Sequence, residues 1–318
     1  MAMPLVETKN LKKYFKTGAG MLHAVEDVNL KIMPGKTLGV VGESGCGKST
    51  LGRTILRLQP ATAGEVLYNG ENILKYKGKD MQKIHLNMQM VFQDPYSSLD
   101  PRMSVHNLIA EPVQVCGLLK TKAEINEHVR EIMDMCGLPA DQANLFPHEL
   151  DGGLRQRVGL ARAMAVSPKF IVCDEPVSAL DVSIQAQILN LLMDLQEQRE
   201  LSYMFITHDL CVVKHISDEI MVMYMGQVVE HAKTAELFAN PVHPYTKALL
   251  HAVPTIDLSK RNREGFMLRG EVTSPINPAP GCRFAPRCPY ATEACHQPQK
   301  QEEVSTGHFV TCCRIHEL

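Results

Sequence analysis

The segment that most constrains the fold is a glycine-rich loop near the start of the chain, which matches the pattern Gly-x4-Gly-Lys-Ser in full. It consists of Gly42, Glu43, Ser44, Gly45, Cys46, Gly47, Lys48, Ser49 and Thr50. The apolar run directly before it, Thr37–Val41, is typical of a buried strand. A loop of this kind joins a strand to a helix, so the sequence predicts an α/β protein. The alternative is a plain tight turn, which does not require the Gly-Lys-Ser ending.

The residue types in this loop suit the binding of a nucleoside triphosphate. Glycines let backbone N–H groups turn towards phosphate oxygens, and the N-terminus of the following helix adds its dipole. Lys48 can neutralise the terminal phosphates, and the hydroxyl group of Ser49 can hold Mg²⁺. The sequence therefore predicts a site for a magnesium-bound nucleotide.

Length and composition limit the class of protein and its compartment. The chain has 318 residues, of which 45% are hydrophobic, so we expect a globular protein of about two domains. Its formal net charge of −2 argues against a protein that coats nucleic acid, because that role needs a surplus of Lys and Arg. We find no secretory leader and no apolar run of about 20 residues, so we expect the chain to stay in the cytoplasm.

The pattern of apolar residues divides the chain into successive regions. Residues 5–35 are predicted to form short strands, and residues 94–167 a helical subdomain inserted between strands. Residues 170–173 and 203–206 are predicted to be buried parallel strands, with an amphipathic helix at 184–198 between them. The chain is therefore expected to return to an α/β core after the helical insertion.

Polar side chains stand where the predicted core strands end. Asp174 and Glu175 follow the strand at 170–173, and α/β folds bind ligands at the carboxyl ends of their strands. One carboxylate can hold Mg²⁺ through water, while the next orients or deprotonates the attacking water. His208 closes the next apolar strand, and Gln93 follows an earlier one, where it could reach metal or water. Alone, the acidic pair is as typical of a strand end as of a site, His208 is more typical of a structural histidine, and one glutamine indicates little. With the phosphate loop, they predict a hydrolase.

The C-terminal region carries a second chemical signal. Beyond residue 257 the composition changes to proline, cysteine and charge, which favours a small irregular appendage. Half of the ten cysteines lie in the last 37 residues, which suits a reducing compartment with one local metal site. Four of them could provide thiolates for an iron–sulfur cluster or tetrahedral Zn²⁺, with unligated or disulfide-bonded cysteines as the alternative. The four are Cys282, Cys288, Cys295 and Cys312, and Cys313 is the spare.

Taken together, these motifs resemble those of the nucleotide-binding subunits of ABC transporters, over residues 5–255 and in the expected order. A more specific resemblance is to the oligopeptide, dipeptide and nickel importer family. The segments that carry it are Gln-Asp-Pro-Tyr-Ser-Ser-Leu at 93–99, Asp-Glu-Pro-Val-Ser-Ala-Leu-Asp-Val-Ser-Ile-Gln at 174–185 and Asn-Pro-Val-His-Pro-Tyr-Thr at 240–246. The continuation of the loop as Leu-Gly-Arg at 51–53 resembles the second ATPase subunit of that family.

This resemblance implies a fold and a division into domains. The fold is an α/β P-loop ATPase core of the ABC type, with an antiparallel β lobe and a helical subdomain. The nucleotide-binding domain is predicted at 1–256, and a small, irregular, Cys-rich C-terminal domain at 257–318. Members of the family can carry a 4Fe–4S cluster in that domain, which favours the cluster over Zn²⁺.

The resemblance also implies roles for individual residues. By similarity, Tyr14 stacks on adenine, and Gln93 is the Q-loop glutamine, which faces the membrane subunits and binds Mg²⁺ together with Ser49. The same resemblance makes Asp174 and Glu175 the Walker B pair. It also implies that Asp181 ends the D-loop at 178–181 and that His208 is the switch histidine. Glu175, His208 and Gln93 are the residues implied to act in hydrolysis.

One segment departs from the pattern of the family. Where the signature has Leu-Ser-Gly-Gly-Gln, this chain has Asp151, Gly152, Gly153 and Leu154 after a matching leucine. In the family this segment grips the γ-phosphate bound to the opposite subunit of a head-to-tail dimer. An ionised aspartate offers that phosphate no donor and brings a like charge close to it. We therefore expect the nucleotide site of the partner ATPase to be weakened.

The implied function is ATP hydrolysis that powers uptake of di- or oligopeptides, at the cytoplasmic face of the inner membrane. The implied partners are a second ABC ATPase in a heterodimer, two membrane permease subunits and a peptide-binding protein outside the membrane, without nucleic acid. Three alternatives stay open. They are import of nickel or another small solute, a soluble ABC ATPase of translation or DNA repair, and a redox-sensing module with vestigial hydrolysis.

Overall fold

The structure of the protein is a computed structural model that describes residues 3–178, 180–253 and 274–317. The chain packs into two compact units. The first comprises Met1–Met33, Thr37–Leu74 and Phe205–Leu318, and the second Pro34–Lys36 and Lys75–Met204. The predicted boundary between residues 256 and 257 lies outside the described residues.

The strands follow one another along the chain with helices between most of those in the core. They are β1 (Val6–Thr17), β2 (Gly20–Ile32), β3 (Thr37–Val41), β4 (Ala63–Tyr68), β5 (Glu71–Asn72), β6 (Met88–Val91), β7 (Phe170–Asp174), β8 (Ser202–Thr207), β9 (Glu219–Tyr224), β10 (Gln227–Lys233), β11 (Glu302–Ser305) and β12 (His308–Val310). The strands β3, β7 and β8 are buried along their whole length, as expected for the core of an α/β protein.

The α-helices are mostly short. They are α1 (Lys48–Ile55), α2 (Gly78–Asn87), α3 (Pro95–Ser98), α4 (Val105–Val115), α5 (Lys122–Met135), α6 (Gly152–Met164), α7 (Val182–Arg199), α8 (Leu210–Ile216), α9 (Thr234–Ala239) and α10 (Pro244–His251). Within the described part of the chain, none of the helices has the combination of length and apolar character that a membrane span requires.

An antiparallel sheet in the first unit forms the β lobe, with the strand order β2-β1-β4-β5. Strands β1 and β2 contain 12 and 13 residues, so the prediction of short strands at 5–35 was wrong. Their pairing shifts in register between Thr8 and Leu11 and again before Tyr14. Such bulges break the alternation of inward and outward side chains, and a long strand then has the sequence pattern of several short ones.

The other strands of the first unit place the phosphate loop and the C-terminal residues on one framework. β3 runs parallel to β9, which pairs with β10, and β10 pairs in turn with β12. The described part of the predicted C-terminal domain, 274–317, therefore packs within the first unit instead of forming a unit of its own. Glu230 on β10 is fully buried and its Oε1 lies 2.8 Å from Nε2 of His308 on β12, which ties the two strands together.

The second unit contains the predicted helical region. Strands β6 and β7 are parallel, and α4, α5 and α6 pack against one another. Helix α5 begins with a capping box between Thr121 and Glu124 and buries Val129, Ile132 and Met133 on one face. The predicted strand at 170–173 and helix at 184–198 are confirmed as β7 and α7.

Candidate nucleotide site

The phosphate loop lies in the first unit, between β3 and α1. Its first and last glycines have the left-handed φ angles of 155° at Gly42 and 105° at Gly47. A Cβ atom on Gly42 would stand 2.2 Å from the carbonyl oxygen of Met223, and one on Gly47 would stand 2.1 Å from that of Ala24. Only glycine fits at these two positions, so the backbone can form the cradle that a phosphate chain requires. The residues present therefore fit the predicted magnesium nucleotide.

The side chain of Lys48 is held against this cradle. It is buried, and its Nζ donates hydrogen bonds to the carbonyl oxygens of Gly42 at 2.7 Å and Glu43 at 2.9 Å. Ser44 and Gly45, in the middle of the loop, are exposed, whereas Ser49 is half-buried at the start of α1. The ammonium group is thus positioned at the loop, where it can neutralise phosphate charge.

Tyr14 belongs to a small polar cluster on the β lobe. Its ring stacks on the ring of His23 on the neighbouring strand, with centroids 3.9 Å apart. Its hydroxyl group donates to Oε1 of Glu26 at 2.5 Å, and Nδ1 of His23 lies 2.6 Å from Oε2 of the same carboxylate. Burial and this hydrogen bond raise the pKa of Tyr14 to about 12, so the phenol stays a donor. Because His23 covers one face of the ring, adenine would have to stack on the other.

The backbone that follows His23 lies next to the phosphate loop. Ala24, whose carbonyl oxygen limits the space at Gly47, is the residue that follows His23. Burial would raise the pKa of Glu26, but hydrogen bonds from Tyr14, His23 and Lys12 together hold it below its usual value. The carboxylate therefore stays ionised and keeps its donors at neutral pH.

In the second unit, the structure brings Gln93 and Glu175 together. Val91 on β6 and Cys173 on β7 are paired, so both strands end at the same edge and the next residues of each are neighbours. Nε2 of Gln93 donates to Oε2 of Glu175 at 3.0 Å. Asp174, the last residue of β7, is completely buried. The sequence predicted the two carboxylates for the carboxyl end of this strand, and Gln93 for a position after an earlier strand where it could reach metal or water.

The backbone at Glu175 is left-handed, with a φ angle of 46°. This conformation is uncommon for residues other than glycine and costs on the order of 1 kcal/mol. It turns the chain sharply at the end of β7, so Glu175 leaves the buried strand while Asp174 remains inside it. Strain of this kind at a strand end is a feature of functional sites.

The remaining predicted residues occupy helix starts or loop positions. In the second unit, Oδ1 of Asp181 accepts the N–H of Ile184 at 3.0 Å and caps α7. The D-loop at 178–181 is described except for residue 179. In the first unit, His208 is exposed directly after β8, and the next residue, Asp209, caps α8. The structure thus gives Asp181 a structural role, and its predicted nucleotide contact stays a prediction.

The signature segment begins α6 in the second unit. Oδ1 of Asp151 accepts the N–H of Leu154 at 2.8 Å, so the aspartate caps the helix. A Cβ atom on Gly153 would stand 2.6 Å from Cγ2 of Ile184, and one on Gly152 would meet a neighbouring leucine at 3.1 Å. The two glycines therefore allow this helix start to pack closely against α7 and the loop residue Leu180 before it. The contacts predicted for this segment with the nucleotide of a partner stay a prediction.

The C-terminal cysteines of the first unit line one small cavity of about 10 Å³. They are Cys282, Cys288, Cys295, Cys312 and Cys313. The Sγ atoms of Cys295 and Cys313 are 3.7 Å apart. Burial would raise the pKa of Cys295, but hydrogen bonds from Thr292 hold it below its usual value, whereas burial raises the pKa of Cys282 to about 12. Considering the described residues alone, no three His, Cys, Asp or Glu side chains form a group that could hold a metal ion.

Two arginines that the sequence did not indicate make contacts at or beside the predicted nucleotide-binding residues. Arg287 pairs with Glu43 of the phosphate loop, and Arg283 pairs with Glu26 beside Tyr14. Nothing in the spacing of the two arginines indicated these contacts, since the carboxylates lie more than 240 residues away along the chain. The one sequence signal was their position beside cysteines of the appendage.

Comparisons with known proteins agree with this architecture. Residues 25–178 match the ABC transporter family, and residues 229–295 match the C-terminal region of oligopeptide and dipeptide transporters. The chain is 47% identical to the oligopeptide transport ATP-binding protein OppF of Salmonella typhimurium, over 98% of this chain and 94% of that protein. It is 54% identical to OppF of Bacillus subtilis, over 83% of this chain and 87% of that protein.

A solved structure with a similar fold is the ATP-binding cassette MJ0796, in a dimeric post-hydrolysis state bound to ADP and phosphate. It is 30% identical in sequence and has a TM-score of 0.67, over 72% of this chain and 98% of that chain. The fold and the phosphate loop together define an ATPase of the ABC class. Within that class, the chain belongs to the family of ATP-binding proteins of oligopeptide and dipeptide ABC transporters. The predicted family and type of enzyme are therefore confirmed.

Proposed function

We propose that the chain binds Mg-ATP through its phosphate loop and hydrolyses it to power import of di- or oligopeptides through separate membrane subunits. The observation that carries the proposal is the hydrogen bond between Gln93 and Glu175 after the ends of β6 and β7 in the second unit. It joins the residue assigned to activate water with the residue assigned to face the membrane subunits. Relatives that match nearly the whole chain carry the name of oligopeptide transport ATP-binding proteins, which supports peptides as the cargo.

The proposed chemistry gives each predicted residue one role. Lys48 neutralises charge on the terminal phosphates, and the N–H groups of the cradle bind their oxygens. Glu175 accepts a proton from the attacking water or orients it, while Gln93 holds the carboxylate in place. Ser49 and Gln93 would hold Mg²⁺, with Asp174 acting through water, and the bound ion would supply positive charge for phosphoryl transfer. Asp181 and His208 are proposed to complete the site around the γ-phosphate.

The proposed assembly is a transporter at the cytoplasmic face of the inner membrane. Its parts are this chain, a second ATPase in a heterodimer, two permease subunits and an external peptide-binding protein. A second ATPase is part of the proposal because each nucleotide site of the class needs a signature segment from the opposite subunit. The signature of this chain, from Asp151 to Leu154, would then face the nucleotide of its partner.

Purification of the tagged chain from its own host in mild detergent tests this assembly. We expect two membrane subunits and a second ATPase to be retained with it. In reconstituted vesicles, peptide-loaded binding protein is expected to raise ATP turnover by roughly tenfold over the empty protein, a usual size for coupling between sites. Recovery with ribosomes or DNA repair proteins instead, without membrane subunits, would contradict the proposal. Stimulation by nickel but not by peptides would assign the cargo to the other branch of the family.

We also propose that Cys282, Cys288, Cys295 and Cys312 bind a 4Fe–4S cluster. The preference for a cluster over zinc rests on the resemblance to the importer family. One observation supports a shared metal group, because all four thiols line the same cavity. The chemistry of the donors, four sulfur atoms, fits the cluster.

Expression with added iron, followed by purification without oxygen, is expected to give a brown protein with about four iron atoms per chain. Cys288→Ser should lose most of the iron, because it removes one ligand from the cavity. Cys211→Ser is the matched control, since Cys211 is exposed and lies outside the cavity. Stoichiometric zinc without iron would decide for the zinc site, and protein without metal would decide for unligated cysteines.

A further inference from the structure

Two arginines of the C-terminal segment reach residues of the proposed nucleotide site within the first unit. Arg283 directly follows Cys282, and Arg287 directly precedes Cys288. Between them Phe284 is buried against Tyr224 and Tyr245, with ring centroids 5.2 and 5.4 Å away. This packing fixes the short segment 283–287 against the core, so the direction of both arginines is set.

Arg287 binds the phosphate loop through Glu43, the second residue of that loop. Its Nη1 and Nη2 donate to Oε2 and Oε1 of Glu43 at 2.8 and 3.1 Å, which is a bidentate pair. The arginine is buried, and Glu43 is about one quarter exposed, at 25%. A planar guanidinium with both terminal nitrogens on one carboxylate fixes orientation as well as distance. Nη1 also donates to the hydroxyl group of Tyr224 at 3.3 Å, which adds a further anchor.

Glu43 also connects Arg287 to Lys48, the residue proposed to neutralise phosphate charge. Its N–H donates to the hydroxyl group of Tyr245 at 2.9 Å, and its carbonyl oxygen accepts from Nζ of Lys48 at 2.9 Å. The side chain, the N–H group and the carbonyl group of Glu43 are therefore all held. A loop fixed in this way loses less entropy when it closes around phosphates, which favours binding.

Arg283 makes a second connection, to the β lobe. Its Nη2 donates to Oε2 of Glu26 at 3.0 Å, and its Nη1 donates to the carbonyl oxygens of His23 and Met225. Glu26 in turn accepts the hydroxyl group of Tyr14 and holds the ring of His23. Arg283 thus anchors Glu26, and the hydrogen bonds of Glu26 orient the Tyr14–His23 pair, which is the proposed adenine platform.

We propose that Arg287 and Arg283 are positioning residues for ATP, Arg287 for the phosphate loop and Arg283 for the adenine platform. The C-terminal segment is then part of the nucleotide site. This inference rests on the proposed site at the phosphate loop. The two arginines act at opposite ends of the nucleotide, so their removal should have different signatures.

Nucleotide affinity of the purified full chain, measured by calorimetry, separates the two roles. Arg287→Met should raise the Kd for Mg-ATP, Mg-ADP and inorganic triphosphate alike by about tenfold, the loss typical of one charge-assisted hydrogen bond. Arg283→Met should raise the Kd for Mg-ATP but leave that for inorganic triphosphate unchanged. A merely structural role would weaken all ligands to the same degree in both variants. Equal effects of the two variants would therefore overturn the assignment.

Matched variants keep the test decisive. Lys48→Ala should lose nucleotide binding if the proposed nucleotide site is correct, and normal binding by this variant would mean that the site is wrong. If Lys48→Ala loses binding but the arginine variants bind normally, the inference about the arginines alone fails. Arg102→Met removes an arginine from an exposed pair with Asp100 in the second unit and should bind as the unaltered chain does. Exchange of charge in Arg287→Glu with Glu43→Arg should restore affinity relative to Arg287→Glu alone.

Folding of the variants is checked by their thermal unfolding. If Arg287→Met does not fold, Arg287→Lys replaces it, because lysine keeps the charge but lacks the planar fork of arginine. We expect Arg287→Lys to fold and to bind ATP more weakly than the unaltered chain. Unaltered affinity in that variant would overturn the role of Arg287.

Discussion

Replacing Glu175 by glutamine is expected to slow ATP hydrolysis by about 100- to 10,000-fold, the contribution of a general base, and to leave ATP binding intact. The amide has nearly the same shape as the carboxylate but cannot accept the proton of the attacking water. Gln93 can still donate to the side-chain oxygen of the new residue, so the geometry at the end of β7 is preserved. The loss should therefore be confined to the chemical step.

Single-turnover hydrolysis and equilibrium ATP binding, both in the assembled complex with the partner site disabled, measure the two quantities. Glu197→Gln is a suitable control because Glu197 is an exposed glutamate on α7, in the same unit. It should change neither quantity. Unchanged turnover in Glu175→Gln would contradict the assignment of Glu175, and weakened binding would mean that the carboxylate also supports the nucleotide or the fold.

Restoring the signature sequence, with Asp151→Ser and Leu154→Gln together, is expected to raise the ATP turnover of the assembled complex. Two unit charges about 4 Å apart repel by ~4 kcal/mol at an effective dielectric constant near 20. If Asp151 lies as close to the γ-phosphate as the signature serine of the family does, that repulsion lowers the equilibrium constant for closure around the partner's nucleotide by orders of magnitude. Removing this repulsion should make the partner's nucleotide site active in hydrolysis.

The structure makes this experiment easier to interpret. Asp151 caps α6 through the N–H of Leu154, and serine is about as good a helix cap as aspartate. The double variant should therefore fold with α6 intact. Asp151→Asn is a further control, since it keeps the cap and removes only the charge, and we expect it to recover part of the turnover.

Each nucleotide site must be tested separately, with the other one disabled. The site built on the phosphate loop of this chain should be active before and after restoration, whereas the partner's site should gain activity. Equal rates at both sites before and after restoration would contradict the proposed inequality. If the chain instead pairs with a second copy of itself, both sites carry the altered signature and the unrestored assembly should be nearly inactive.

Local stereochemistry explains why the sequence predicted the phosphate loop and the acidic strand end. At Gly42 and Gly47 the backbone leaves no room for a Cβ atom, so the glycines had to be present in the sequence. The apolar run of β7 followed by Asp174 and Glu175 likewise fixes a buried strand with carboxylates at its end. These features depend on neighbouring residues, so a short stretch of sequence is enough to recognise them.

The β lobe was predicted less well because its strands are defined by pairing with other segments of the chain. Bulges around Leu11 and before Tyr14 shift the pairing of β1, and the alternation of buried and exposed residues is lost although the strand continues. The hydrogen bonds to the partner strands, which define the strand, cannot be read from the pattern of a single segment. Only the folded sheet decides where such a strand begins and ends.

By itself the sequence determined the class of enzyme, the phosphate loop and the carboxylate pair, because each depends on residues within a few positions of one another. Only the tertiary structure decided that the C-terminal segment packs within the first unit and that Arg287 pairs with Glu43. The two residues are 244 positions apart, and no periodicity of the chain links them. Their meeting depends on the pairing of β12 with β10 and the burial of Phe284, which are contacts between distant segments that form only when the whole unit folds.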